Sequence, residues 1–188
     1  MIDGNRVMEI FAEYRDEQVV VTTMSSAKGW PRHSERPELD LPLRGCMGKA
    51  SSLGLGIALA RPERKVVVLD GDGSLLMNLG SLVTAAGMAP QNFLHVVLEG
   101  RTYDTSGGQP TPNQGKVDFA GLARAAGYAR AETVDDEAGL HTALSELTKA
   151  EGPSFLCVRV NSMWATGSLP GRAASEIYET VATALAAG

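Results

Sequence analysis

The stretch Asp70-Gly71-Asp72-Gly73-Ser74 constrains this chain more than any other. It follows Val66-Val67-Val68-Leu69, an unbroken apolar run that reads as a strand buried on both faces of a parallel sheet. It precedes a helix-periodic segment at 75–86, with leucines at 75, 76, 79 and 82. A carboxylate therefore stands between two glycines at a strand-to-helix turn. Two readings stay open on these residues alone. In one, the glycines let the backbone approach an anionic ligand, the helix N-terminus offers free N–H groups, and Asp72 holds a divalent metal that bridges to phosphate oxygens. In the other, this is an ordinary strand–helix turn in which an Asp or Ser caps the helix.

The same alternation runs along the chain. Residues 7–14 have helical spacing, with Val7, Ile10, Phe11 and Tyr14 on one face, and 18–23 read as a strand. Residues 24–44, with their prolines and the charged run at 35–40, read as a loop. A loop of that length is usually functional or covered by a partner. A helix of small residues and leucines spans 50–60. Gly54 and Gly56 each cost it about 1 kcal/mol of propensity, so something must approach it closely, either the sheet beneath or a neighbouring subunit. The sequence Gly87-Met88-Ala89-Pro90 stops the next helix. A buried strand at 93–98 then opens into a polar loop, 99–112, dense in glycine and hydroxyls. Asp118 caps a helix to 126, and 132–134 form a short edge strand. A helix with Leu140, Leu144 and Leu147 on one face, a strand at 154–160 and an amphipathic helix at 173–187 complete the chain.

This pattern predicts one α/β domain over 1–188, a doubly wound parallel sheet with helices on both faces. In such sheets a ligand sits beyond the carboxyl ends of the strands, where strand order reverses. The loops after Leu69 and Leu98 both leave carboxyl ends, so Asp72 and the 99–105 loop are expected to face one site. Composition excludes other classes. A net charge of −5 argues against nucleic acid. No apolar run approaches the roughly 20 residues of a membrane span, and the polar start carries no signal peptide. Cys46 and Cys157 lack metal or redox spacing and read as two buried thiols in a reducing, cytoplasmic setting.

Three blocks together carry a resemblance: Gly45-Cys46-Met47-Gly48, then Gly71-Asp72-Gly73-Ser74-Leu75-Leu76-Met77-Asn78-Leu79-Gly80, then Tyr103-Asp104-Thr105-Ser106-Gly107-Gly108-Gln109-Pro110-Thr111. In this order and spacing the chain, from about 18 to 160, resembles the pyrophosphate-binding domain of thiamine-diphosphate-dependent decarboxylases. It is most similar to the sulfopyruvate and phosphonopyruvate decarboxylases. The resemblance implies thiamine diphosphate and Mg²⁺ as cofactors and a small anionic 2-oxo acid as substrate. It implies that Asp72 and the Thr102 carbonyl bind the metal. Gly71, Gly73, Ser74 and Tyr103 would line the cofactor's place, with Ser74 touching the diphosphate. Met47 would prop the cofactor into its bent shape, and the Gly45 carbonyl would accept from its 4′-amino group. Gly107, Gly108 and Gln109 would lie near the substrate. Met47 as plain core, and Gly107 to Gln109 as a plain turn, remain the alternatives.

Two departures stand out. The family's metal-binding asparagine falls at Gly100, which has no side chain, and Glu99 beside it should point away by strand alternation. Arg101 could instead meet the diphosphate directly. Weakened or altered metal binding is expected. Lys49 stands where the family has a small or apolar residue, and 24–28 match the family's basic loop only in part, leaving Lys28 as a candidate for an anionic substrate or a solvated lysine. The glutamate that activates the aminopyrimidine belongs, in this family, to a separate pyrimidine-binding domain, so a partner subunit or self-association is expected to complete the site. The small-residue helix and the 24–44 stretch are candidates for that surface. The rival reading is a non-catalytic or regulatory partner with a degenerate cofactor site. A nicotinamide-type site is disfavoured because the third glycine of GxGxxG is missing.

Overall fold

The apolar runs become strands of a single all-parallel, seven-stranded sheet in the computed structural model, which describes residues 1–162 and 171–187. The chain opens with β1 (Ile2–Asp3), α1 (Gly4–Glu13), β2 (Val19–Thr23), α2 (Met24–Gly29), β3 (Asp40–Leu43) and α3 (Ala50–Ala60). It continues through β4 (Val66–Gly71), α4 (Asp72–Leu76), α5 (Ser81–Met88) and β5 (Phe93–Glu99). A small antiparallel hairpin follows, β6 (Thr102–Tyr103) with β7 (Gln109–Pro110). Then come α6 (Phe119–Ala126), β8 (Arg130–Val134), α7 (Glu137–Leu147), β9 (Ser154–Ser162) and α8 (Ala174–Ala186). Across the sheet the order is β3-β2-β4-β5-β9, with β8 and β1 sharing the far edge of β9.

Alternation along each strand splits the core in two. Val66 and Val68 of β4, with Phe93 and Val97 of β5, face a layer closed by α3, α5, α6 and α8. Val67 and Leu69, with Leu94, Val96 and Leu98, face the opposite layer, closed by α1, α7 and Trp30. Both faces being apolar, a slip of one residue would exchange the two layers, and the fit of each to its own helices holds the register. The expected doubly wound architecture is present. No helix among the described residues is long and apolar enough to cross a membrane.

Three expectations need correction. Residues 24–44 are not a loop. They form α2, short 3₁₀ turns at Trp30–Arg32 and Pro37–Leu39, and β3. The Ser26 hydroxyl accepts from the Thr23 N–H at 3.0 Å and donates to the Leu69 carbonyl at 2.6 Å, which pins α2 onto β4. Trp30 is buried against Phe11, ring centroids 5.1 Å apart. The small residues of α2 lack the apolar periodicity that would betray a helix, and Pro42 disguises β3, where it is tolerated because β3 is an edge. The helix expected at 75–86 is broken into α4 and α5. The Asn78 side chain donates to the Gly48 carbonyl at 2.9 Å, and that bond holds the turn at 77–80 outside either helix. Finally, Cys46 is exposed and only Cys157 is buried.

The two glycines of α3 separate cleanly. A Cβ on Gly54 would lie 2.4 Å from Val68 Cγ2, so the close neighbour is the chain's own sheet rather than another subunit. Gly56 is exposed with nothing within 4 Å. Gly54→Ala should therefore destabilise the fold by about 1–3 kcal/mol through overpacking. Gly56→Ala should stabilise it by about 0.5–1 kcal/mol through helix propensity. Urea melts of the two variants against the parent check both signs.

Candidate functional site

β3 and β4 lie on opposite sides of β2, so the winding direction reverses there and a crevice opens at the carboxyl ends of β2 and β4. A cleft of about 30 Å³ occupies it, lined by Thr23 to Ser25 after β2, by Met47, by the turn 71–74 and by 102–105. That volume holds a water or an ion.

Asp72 is 3% exposed at its floor. Its Oδ1 accepts from the Gly73 N–H at 2.8 Å and its Oδ2 from the Arg101 N–H at 2.7 Å. The expected convergence of Asp72 with the loop after β5 is thus a direct hydrogen bond. Burial pushes the carboxyl up to about 6, the backbone N–H groups of Arg101, Gly73 and Gly100 opposing and the charge of Glu99 adding to the rise. Each oxygen keeps a second lone pair that can meet a cation. No cluster of three or more His, Cys, Asp or Glu converges among the described residues, so any cation here would draw further ligands from backbone, hydroxyls or the bound group itself.

The turn is locked from behind. The Gly48 N–H donates to Ser74 Oγ at 2.9 Å, while the Gly48 carbonyl takes the Asn78 amide. Gly48 has φ +72°, and a Cβ there would lie 3.0 Å from Asn78 Cβ. Ser74 thus accepts from the backbone and keeps its own proton to donate. The ring of Tyr103 lies across Gly73, where a Cβ would come within 2.5 Å of it. Only glycine fits beneath that ring.

Among the expected site residues, Met47, Gly71, Asp72, Gly73, Ser74, Thr102 and Tyr103 line one cleft. Gly45 has φ +67° and is exposed beside it. Arg101 gives the cleft only its backbone. Its φ is +66°, and its guanidinium turns away to Glu99, Nε to Oε1 3.0 Å. Glu99 is buried and does not line the cleft, yet it lies near enough for its charge to act on Asp72, and its other oxygen takes Arg159 Nε at 3.2 Å. Gly107, Gly108 and Gln109 stand at the exposed tip of the β6–β7 hairpin, outside the cleft, and Lys28 and Lys49 do not line it either. Sequence reasoning missed Thr23, read as the end of a strand, Ser25, hidden in a supposed loop, and Asp104, which it quoted only as part of a block.

Residues 20–158 match the model of the thiamine pyrophosphate enzyme C-terminal TPP-binding domain. The chain belongs to that family. Its 140-residue match to sulfopyruvate decarboxylase subunit beta of Methanothermobacter thermautotrophicus is 44% identical and covers 72% of each chain. Its match to phosphonopyruvate decarboxylase of Streptomyces viridochromogenes is 38% identical over 84% of this chain, and spans only 38% of that protein. Benzoylformate decarboxylase from Polynucleobacter necessarius shares the fold at TM-score 0.70 with 21% identity, over 88% of this chain and 34% of that one. The Streptomyces and Polynucleobacter proteins are longer, and this chain spans 38% of the one and 34% of the other.

The raised carboxyl sets a pH dependence. Asp72 has a folded value near 6 against an ordinary 3.8, so the native chain binds this proton more tightly than the unfolded one. The group's contribution to stability is complete below about pH 4 and is lost as pH rises through about 6. Carboxyl ¹³C shifts should show an Asp72 midpoint near 6, and a bound divalent cation should pull that midpoint down.

Proposed function

We propose that this chain is the thiamine-diphosphate- and Mg²⁺-binding subunit of a decarboxylase for a small anionic 2-oxo acid of the sulfopyruvate or phosphonopyruvate type, completed by a pyrimidine-binding partner subunit. One observation carries the reading: a buried carboxylate, Asp72, sits between two glycines at the switch point and is bonded to the loop after the next strand. The substrate class is supported by the names of the relatives, sulfopyruvate decarboxylase subunit beta and phosphonopyruvate decarboxylase. The partner is supported by the word subunit in those names and by the 38% of the Streptomyces protein that this chain spans.

The residues present fit the cofactor at the metal end. Asp72 has lone pairs to spare and no counter-charge, and Ser74 has a free proton for a phosphate oxygen. Asp72 with the Thr102 carbonyl would hold the cation. Gly71 and Gly73 let the backbone approach the diphosphate, Met47 would support the bent pose, and the Gly45 carbonyl would take the 4′-amino group. When bound, the cofactor supplies the electron sink for loss of CO₂. This chain's part is to bind and orient. Asp72 must be ionised to hold the cation, and Tyr103 screens the turn from water. Arg101 would reach the diphosphate only by leaving Glu99, and Gly107 to Gln109 would reach a substrate only across the rim.

A second reading, a non-catalytic partner, is favoured by the bare Gly100 and by a cleft smaller than a diphosphate. Calorimetric titration separates them, using the full chain alone and with the product of a neighbouring gene. Thiamine diphosphate should bind in a Mg²⁺-dependent way, and Asp72→Ala should weaken it at least roughly 100-fold, as loss of a charged ligand from such a site does. No binding with or without the partner would leave only the non-catalytic reading.

A further inference from the structure

The cleft holds a second carboxylate. Asp104 opens the short 3₁₀ turn Asp104–Ser106 and lines the same cleft as Asp72. Its Oδ1 accepts from the Thr102 hydroxyl, while its Oδ2 is buried with no hydrogen-bond partner. On the β2 side Thr23, 1% exposed, lines the cleft too; its Oγ1 is buried and faces only the Ser26 N–H at the start of α2, with no close hydrogen-bond partner. Buried oxygens without partners are uncommon, and buried carboxylates are stabilised best by a positive charge. The cleft offers hydroxyls but no cationic side chain. No Lys, Arg or His lines it, and among the described residues neither Asp72 nor Asp104 enters an ion pair. Arg101 and Arg159 both give their Nε to Glu99.

Two carboxylates and a hydroxyl oxygen around a space of ion-and-water size, with no cation among the side chains, make a complementary hole for a small hard cation. Gly100, between the two carboxylates in sequence, adds no side chain. We propose that Asp104 is a direct ligand, through Oδ2, of the divalent cation held by Asp72, with Thr23 Oγ1 meeting the cation or a water on it. Mg²⁺ suits such a set, because it is commonly held by one or two carboxylates, with waters and phosphate oxygens completing its shell. The inference rests on the cofactor reading above for the remaining ligands. It replaces the expectation of weakened metal binding with a different ligand set.

The test uses Mn²⁺ as the probe on the full chain, free ion being counted by electron paramagnetic resonance, with and without thiamine diphosphate. The parent should bind one Mn²⁺ that Mg²⁺ displaces. Asp104→Asn, which keeps the shape and the bond to Thr102, and Asp104→Ala should each weaken it about tenfold or more. Gly100→Asn, which adds a side-chain oxygen at the end of β5, should recover much of the loss in the Asp104→Ala background and add little to the parent, whose shell is already filled. A merely structural Asp104 would give the same gain in both backgrounds. Thermal melts confirm that the variants fold. A folded Asp104→Asn with parental Mn²⁺ affinity, or a parent that binds no Mn²⁺ under either condition, overturns the proposal. If thiamine diphosphate binds with Mg²⁺ regardless of Asp104, the ligand assignment falls and the cofactor reading stands. If Mn²⁺ binding needs Asp104 but thiamine diphosphate never binds, the reverse holds.

Discussion

The hydrogen bond from the Arg101 N–H to Asp72 Oδ2 ties the ends of two neighbouring parallel strands together beyond their last shared rung. Inside the sheet β4 and β5 are held by a ladder and by two apolar layers. Past Gly71 and Leu98 their shared ladder ends, and the chain leaves into α4 on one side and into the 99–112 loop on the other. One carboxylate accepts an N–H from each side and keeps the two turns in contact. Arg101 adopts φ +66° to deliver its N–H, a conformation that costs a non-glycine residue of order 1–3 kcal/mol. The buried Glu99, taking both Arg101 and Arg159, offsets that strain by fixing the arginine from its other end.

Charge is arranged in the same economical way along β4. Asp70 and Asp72 are two residues apart, yet only Asp72 opens onto the cleft. Asp70 is enclosed, its Oδ1 accepting from the Gly71 N–H at 2.9 Å and its Oδ2 lying 3.2 Å from His95 Nε2. It stiffens the start of the turn and has a neighbour within the core. Asp72 has only N–H groups, and so stays a carboxylate that a cation can still improve. The difference between the two acids is one of surroundings.

Fold class was legible because alternating buried strands and amphipathic helices leave few arrangements, and the actual sheet is of that kind. The Asp72 turn was legible because glycines on both sides of an acid after an apolar strand have few other uses. What stayed hidden has physical reasons. α2 is made of small residues pinned by Ser26, whose bond to Leu69 spans 43 positions and leaves no periodic trace. The break between α4 and α5 depends on Asn78 reaching Gly48, 30 positions away. Asp104 looked like loop polarity until its oxygen was found buried beside Asp72's cleft.

By itself the sequence determined which segments are buried, that the sheet is parallel, and that an acid is offered at the end of its central strand, because apolar periodicity and glycine placement act over a few residues. The tertiary structure decided which side chains reach that acid. It turned Arg101 toward Glu99 rather than the cleft, set Gly107 to Gln109 outside it, and brought Thr23 and Asp104 to its wall. Those choices depend on strand order and on bonds between distant segments, which no local pattern encodes.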